Sequence, residues 1–449
     1  MEASERARKA GTLLVLGLAR SGVAAARVAA SEGWKVLVAD DKPVAAEGLP
    51  PSVERIDAAT AIARVGEADL VIPSPGVPAS HPVLEAARKG GIAVAPEIEF
   101  AADRLRGTLL AITGTNGKST AVSLLGAILE AAGHRVFTGG NLGDPLCNAV
   151  GRDFDFVVAE VSSFQLEHAS TFHPHVAAML NLTPDHLDRH GDMEGYLAAK
   201  LRLFARMTPA DFVVLPREGS WTGRAAASTC AVVTSFDPGE AATRREITGP
   251  GYRVRLPATG WPELPHDLEN AAAAVEMARI LGVDATAAER AISTFRPLRH
   301  RLAKVAEVAG VAYWNDSKAT NVGAAVSSLR AFAGRVVLLA GGISKGCDFA
   351  ALASEAARIT LVVAYGQAAS EIEAALAGSG MRVVREAGLA AALARAAREA
   401  RPGDTVLLAP ACASFDEFRD YADRGAWFER WVAGLPAARR QEVDEEVGG

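Results

Sequence analysis

Lys118, Ser119 and Thr120 close the run LLAITGTNGKST at residues 109–120, where a short apolar strand meets a turn bracketed by Gly114 and Gly117 and an Ala/Leu-rich helical stretch follows. That order is the layout of a phosphate-binding loop. Backbone N–H groups of Gly114, Thr115, Asn116 and Gly117, with the positive end of the helix, would cradle phosphates. Lys118 would neutralise the terminal ones, and a hydroxyl of Ser119 or Thr120 would hold Mg²⁺. These residues predict ATP as a substrate. The spacing departs from the GxxxxGK[ST] rule, because Ile112 stands where the upstream glycine is expected and Gly114 comes two places later.

Further groups gather at predicted strand ends. Phe156–Ala159 reads as a strand running into Glu160, which would emerge beside the loop as a ligand for Mg²⁺, a cation that takes a few carboxylates plus phosphate oxygens. Strand Val176–Leu180 runs into Asn181-Leu182-Thr183-Pro184-Asp185-His186-Leu187-Asp188-Arg189-His190. Here His186 reads either as a turn residue or as a site residue at another strand end of the same sheet. Nearer the N-terminus, strand Leu13–Leu16, turn Gly17–Gly22, helix Val23–Ser31 and strand Lys35–Ala39 form a Rossmann-like unit ending in Asp40, Asp41 and Lys42, where a ribose or base hydroxyl would sit. Gly17, Ala19 and Gly22 stand in for GxGxxG, so a purely structural tight turn stays open. Strand Leu70–Pro73 then leads into Ser74-Pro75-Gly76-Val77-Pro78, a rigid loop where open sheets bind ligands.

The elements that must position these groups alternate strand-length apolar runs with helical stretches, the pattern of parallel α/β sheets. The fold class is α/β in three domains: a Rossmann-like N-terminal domain over residues 1–96, a central phosphate-loop ATPase-type domain with a mostly parallel sheet over 97–297, and a C-terminal Rossmann-like domain over 298–449 with strands Val336–Ala340, Leu361–Tyr365 and Thr405–Ala409. Pro96-Glu97-Ile98-Glu99 reads as the first linker, and the second boundary falls near Phe295-Arg296-Pro297-Leu298. Residues 216–265 carry no motif. A composition of 49% hydrophobic and 22% charged residues is ordinary for a chain with full cores. No apolar run reaches the roughly 18 residues of a membrane span, and Met1–Ala10 reads as a charged lead-in, not a signal peptide. Cys147, Cys230, Cys347 and Cys412 form no CxxC pair, which argues against a zinc site or a disulfide framework and fits a reducing cytoplasm. A net charge of −6 offers nucleic acid no basic stripe. Lysines make up nine of the 47 basic residues, and four of them, Lys118, Lys200, Lys318 and Lys345, fall in motifs. From its Ala/Leu helical context alone, Lys200 reads as a lysine that reaches solvent.

GTNGKST, EVSSFQLE, NLTPDHLDRHGDMEGYLAAK, WNDSKATN, GGISKGCDF and LAPACASFDEF occur in the order and spacing of the Mur ligases, and from Gly17 to Phe428 the chain resembles that family. Within it, Asp316-Ser317-Lys318-Ala319-Thr320-Asn321 is most similar to the branch that adds D-glutamate to UDP-N-acetylmuramoyl-L-alanine; folate polyglutamate synthases share the ATP loop but not this string. The resemblance implies an ATP-dependent, amide-forming cytoplasmic ligase of peptidoglycan synthesis working through an acyl phosphate, and a monomer with no nucleic-acid partner and no membrane insertion is expected, although the sequence does not determine the oligomeric state. By matching positions it implies Lys118, His186, Lys200 and Lys318 as catalytic. Asn270, Arg301 and Asp316 would join residues 114–120 around ATP, with His300 on the same side of the cleft. Leu18, Ala19, Asp40, Asp41, Lys42, Ser74, Gly76, Asn141 and His186 would take the UDP substrate. Lys318, Thr320, Lys345, Ser414, Phe415 and Tyr421 would take D-glutamate. Two Mg²⁺ sites are implied, one on Ser119 or Thr120 with Glu160, the other on His186 with a carbamylated Lys200. One position departs: where the family shows His-Asn ahead of the adenine asparagine, this chain has His266-Asp267. Two rival classes are a dinucleotide-dependent oxidoreductase using the first turn, and a silent nucleotide-binding regulator, which the joint presence of Lys118, Glu160, His186, Lys200 and Lys318 disfavours.

Overall fold

The computed structural model describes residues 11–41, 48–141, 143–237, 245–249, 251–258, 261–262, 264–296, 299–344 and 348–435; Lys42 and Lys345 lie outside the described residues. The first sheet is all parallel, from β1 (Thr12–Leu16), β2 (Lys35–Ala39), β3 (Glu54–Arg55), β4 (Leu70–Pro73) and β5 (Ala93–Val94), in the order β3-β2-β1-β4-β5. The order reverses at β1, and there the Gly17 turn and the Ser74 loop leave the sheet side by side.

The middle sheet comprises β6 (Thr108–Thr113), β7 (Val136–Gly140), β8 (Phe156–Glu160), β9 (Val176–Met179), β10 (Phe212–Pro216) and β11 (Val232–Phe236), in the order β11-β10-β9-β6-β8-β7, again all parallel. Successive residues of a strand face opposite ways, and here both faces are buried. Leu110, Ile112, Val158, Ala178 and Val214 enter one core; Leu109, Ala111, Val157, Met179 and Val213 enter the other. That accounts for continuous apolar strands in place of alternation. The helix Pro265–Ile280 buries Ala271–Ala274, side chains small enough for close packing on the helix Lys118–Ala131. The motif-free stretch contributes β11 and the hairpin of β12 (Glu246–Gly249) and β13 (Tyr252–Arg255).

Pro96–Glu99 is not a loose linker. Pro96 caps the helix Glu97–Ala102, of which Glu97 through Ala101 are buried. Ile98, Phe100 and Ala101 belong to the core that the first sheet shares with one face of the middle sheet. Glu97 Oε1 accepts the Cys147 N–H at 2.6 Å, and Glu99 accepts the N–H groups of Ser170 at 2.5 Å and Thr171 at 2.9 Å. Burial pushes the Glu97 carboxyl up to about 7, partly opposed by the Cys147 N–H. Six residues are too few to show a helical period, and the two glutamates look like solvated charge until their partners are seen.

The chain divides into two compact units. One runs to Leu182 and resumes over His186–Phe295; the other holds Thr183–Asp185 and the chain from Arg296 on. The second unit is built on β14 (Ala303–Val308), β15 (Val311–Asn315), β16 (Val336–Gly341), β17 (Ile359–Tyr365), β18 (Val383–Glu386) and β19 (Thr405–Leu408), in the order β14-β15-β19-β16-β17-β18. Only β14 runs antiparallel, as a hairpin with β15. Among the described residues no helix is long and apolar enough to cross a membrane.

Candidate active site

β6 delivers Gly114–Gly117 to the start of the helix Lys118–Ala131. Gly117 has φ 81°, and a Cβ there would lie 2.1 Å from Asn270 Oδ1, so conformation and space both require glycine. Asn270 is buried and packs on the loop from the helix Pro265–Ile280. The departing Asp267 lies in that helix's first turn, where its carboxylate accepts the Leu264 N–H at 3.4 Å. It suits the positive end of a helix.

Parallel pairing sets Ile112 of β6 opposite Glu160, the last residue of β8. Both Ser119 and Glu160 are buried, and Ser119 Oγ donates to Glu160 Oε2 at 2.5 Å while Asn141 Nδ2 donates to Oε1 at 2.8 Å. Thr120 is buried in the same turn. Hydroxyl and carboxylate oxygens fit Mg²⁺, which shares such ligands with substrate phosphates. Among the described residues no group of three or more His, Cys, Asp or Glu could hold a metal by itself.

Lys118 Nζ donates to the carbonyls of Gly114 at 2.9 Å and Thr115 at 2.8 Å. Lys200, from the helix Met193–Leu201, does not reach solvent: it is 1% exposed, donates to the same Gly114 carbonyl at 2.8 Å, and lies 4.5 Å from the centre of the Tyr196 ring. Two cationic side chains thus share one carbonyl. Tyr196 in turn reaches Thr115 Oγ1 at 3.3 Å.

His186 takes a left-handed φ of 55° and sets its ring 4.6 Å from that of Phe164. His190 Nε2 lies 2.9 Å from Ser163 Oγ; burial holds its pKa below the ordinary value, with Glu167 opposing. Arg189 pairs with Glu167 at 2.6 Å and donates to the Val77 carbonyl at 2.9 Å, tying this loop to the Ser74–Pro78 loop of the first sheet. Between them, Ser74, Phe164, Gln165 and Arg189 line a small cavity with Glu97.

In the first sheet, Leu18 N–H donates to Asp40 Oδ2 at 2.6 Å and Ser74 Oγ donates to the Gly17 carbonyl at 2.8 Å. Asp41 is exposed and lies 3.2 Å from His81 Nε2. Leu18 is buried, whereas Ala19, just before the helix Arg20–Ser31, and Gly76 are exposed.

In the second unit, Lys318 N–H donates to the His300 carbonyl at 3.1 Å, and its ammonium lies 4.2 Å from the centre of the Tyr421 ring. The fully buried Arg424 donates to Ser317 Oγ and O, both at 2.9 Å, and to the Cys412 carbonyl at 3.2 Å. It stitches the Asp316–Asn321 loop to the stretch leading to Ser414. Ser414 is buried, Phe415 is 67% exposed, and Thr320 N–H turns back onto the Lys318 carbonyl at 2.8 Å. Asp316 is buried and accepts the Leu302 N–H at 3.2 Å and the Ser328 hydroxyl; half-buried Arg301 precedes Leu302 in the sequence. Burial also lowers the pKa of His300, opposed by Glu429.

Asn181, Tyr196 and Arg424 join these groups although none stood among the expected site residues. Asn181 had a signal, being a polar residue directly after a buried strand; Arg424 had none, since its partners are distant in sequence.

A lysine and hydroxyl on a phosphate loop, backed by a strand-end carboxylate on a parallel sheet, define a nucleoside-triphosphate-using α/β enzyme. Three family models match the chain: the Mur ligase MurD-like N-terminal domain over residues 11–96, the Mur ligase middle domain over 112–254 and the Mur ligase glutamate ligase domain over 300–412. A curated UDP-N-acetylmuramoylalanine–D-glutamate ligase of Acidobacterium capsulatum is 41% identical over 445 residues, covering 94% of this chain and 96% of the relative. MurF from Acinetobacter baumannii shares the fold with a TM-score of 0.60 at 18% identity, covering 94% of this chain and 92% of the other, and UDP-N-acetylmuramate-alanine ligase MurC from Thermotoga maritima does so with 0.58 at 17%, covering 94% and 99%. The chain belongs to the Mur ligase family.

Proposed function

We propose that the chain joins D-glutamate to UDP-N-acetylmuramoyl-L-alanine at the cost of ATP, a step of peptidoglycan precursor synthesis. The observation that carries this is the near-full-length identity to curated D-glutamate ligases, on a chain whose phosphate loop has its lysine, hydroxyl and carboxylate in one place. A free carboxylate is a poor acyl donor. Transfer of the γ-phosphoryl group to the alanyl carboxylate releases ADP and gives an acyl phosphate; the amine of D-glutamate then attacks the carbonyl carbon, and inorganic phosphate leaves with formation of the amide. Phosphoryl transfer needs positioning and charge neutralisation more than covalent help from the protein. Lys118, drawn off its loop carbonyls, would supply a cation to the terminal phosphates. Ser119 or Thr120 and Glu160 would hold Mg²⁺, which when bound offsets charge on the phosphoryl oxygens.

For a second Mg²⁺ site the donors would be His186 and Lys200 as its carbamate, formed when the neutral amine adds CO₂ and loses a proton. Supporting this, Lys200 is buried beside Lys118 on a shared carbonyl, where two like charges are costly at low dielectric. A carbamate reverses one sign. Asp40, Asp41, Lys42, Leu18, Ala19, Ser74, Gly76 and Asn141 would hold the UDP substrate, Asn270, Arg301 and Asp316 would complete the ATP site, and Lys318, Thr320, Lys345, Ser414, Phe415 and Tyr421 would hold D-glutamate. Domain limits at 96 and 297, a monomer and a cytoplasmic location complete the reading. Incubation with ATP, Mg²⁺, UDP-N-acetylmuramoyl-L-alanine and a panel of amino acids, with product mass as readout, tests it: D-glutamate alone should yield a stoichiometric adduct, and preference for another amino acid would overturn the assignment.

A further inference from the structure

We propose that Asn181 is a positioning residue for ATP: its side chain clamps the phosphate loop. This rests on the ATP-using reading above. Asn181 Oδ1 accepts the N–H groups of Thr115 at 3.1 Å and Asn116 at 2.9 Å, while Nδ2 donates to the Asn116 carbonyl at 3.2 Å. Its own carbonyl also accepts the Thr115 N–H at 3.1 Å. An asparagine amide offers one acceptor oxygen and two N–H donors; both lone pairs and one donor are thereby spent on two residues of the loop.

Sheet register puts it there. β9 pairs with β6, Thr113 opposite Met179, and Leu180 N–H donates to the Thr113 carbonyl at 3.0 Å, so the chains leave the sheet side by side. The tip of the loop is short, with Gly114 two places later than the general spacing allows. A neighbouring strand end pairs the backbone groups of Thr115 and Asn116. The Thr115 and Asn116 amides, expected from the sequence to face phosphate, turn toward Asn181 instead, and phosphate contact would fall to the first turn of the helix from Lys118, whose amides and positive dipole end suit anions. Tyr196 and Lys200 hold Thr115 and Gly114 from another side. The loop is thus shaped before ATP arrives, which spares the ordering cost on binding.

The test uses the full chain with Asn181→Ala and Asn181→Ser, the serine hydroxyl being able to restore part of the pairing. ATP binding is read by calorimetry, independent of which amino acid is the acceptor, alongside the KM values for ATP and D-glutamate and the melting temperature. Loss of the clamp should weaken ATP about tenfold or more in the alanine variant, less in the serine variant, with the KM for D-glutamate unchanged. ATP affinity within twofold of the parent, or equal weakening of ATP and D-glutamate, overturns the proposal. Should Asn181→Ala fail to fold, Asn181→Leu, which keeps the side-chain volume and removes the pairing, decides on the same criteria.

Discussion

β1 with the helix Arg20–Ser31 and β6 with the helix Lys118–Ala131 are the same device, a parallel strand, a glycine turn and a helix whose positive end faces outward, yet their chemistry is opposed. In the first, the Asp40 carboxylate accepts the Leu18 N–H at 2.6 Å and brings negative charge to the helix entrance. A dinucleotide pyrophosphate resting there would meet that charge. Gly22 is also a packing residue, since a Cβ on it would lie 2.0 Å from the Gly17 carbonyl. In the second turn a lysine and buried hydroxyls occupy the corresponding ground. A helix N-terminus offers a modest field; the side chains around it decide whether phosphate or a hydroxyl-bearing group is welcome. An oxidoreductase built on the first turn finds no support in that arrangement.

The contrast breaks most sharply at Lys118. Lys118→Ala should reduce turnover by about a thousandfold or more, as loss of transition-state charge stabilisation does, while circular dichroism and melting stay near the parent's; near-normal ATP-dependent phosphate release would place the chemistry elsewhere. Lys200→Ala should be nearly inactive, with partial recovery on adding acetate, whose oxygens can fill the place of a carbamate; full activity without any additive would sink the modified lysine. Asp40→Ala should raise the KM for the UDP substrate about tenfold, in the range of one charged hydrogen bond, and leave ATP untouched. Tight NADH binding by the parent would dissolve the comparison.

The smallest effect concerns the helix between the two turns. With the folded Glu97 carboxyl raised from 4.5 to about 7, the native state keeps its proton at pH values where the unfolded chain has lost it. The contribution of Glu97 to stability is therefore full below about 4.5 and declines as pH rises to about 7, by on the order of 3 kcal/mol at most. Glu97→Gln keeps an acceptor for the Cys147 N–H and should flatten this slope in denaturation series from pH 5 to 8, with turnover unchanged. A parent slope that survives the substitution would assign it to another group.

Local signals made much of the frame legible. Strand β6, its turn and its helix follow one another within residues 108–131, and Gly117 and Lys118 mark the join. Glu160 was legible for the same reason, an acid directly ending an apolar strand. The helix at Glu97 was not, because a short buried helix has no period to read and its carboxylates find partners at Cys147 and Ser170. The burial of Lys200 was equally hidden: an Ala/Leu helix points a lysine outward unless another element covers it, and the Gly114 carbonyl lies 86 residues away in sequence.

Residue order by itself determined the α/β alternation, the phosphate loop and the family, since each depends on neighbours in the chain or on strings of matching residues. Tertiary structure alone decided which charges meet. Sheet register set Glu160 against Ser119 and Asn181 against the loop, and helix packing turned Lys200 inward to the carbonyl already held by Lys118. The physical reason is that hydrogen bonds and like-charge contacts act over a few ångströms, and only the folded chain brings residues so far apart in sequence within that range.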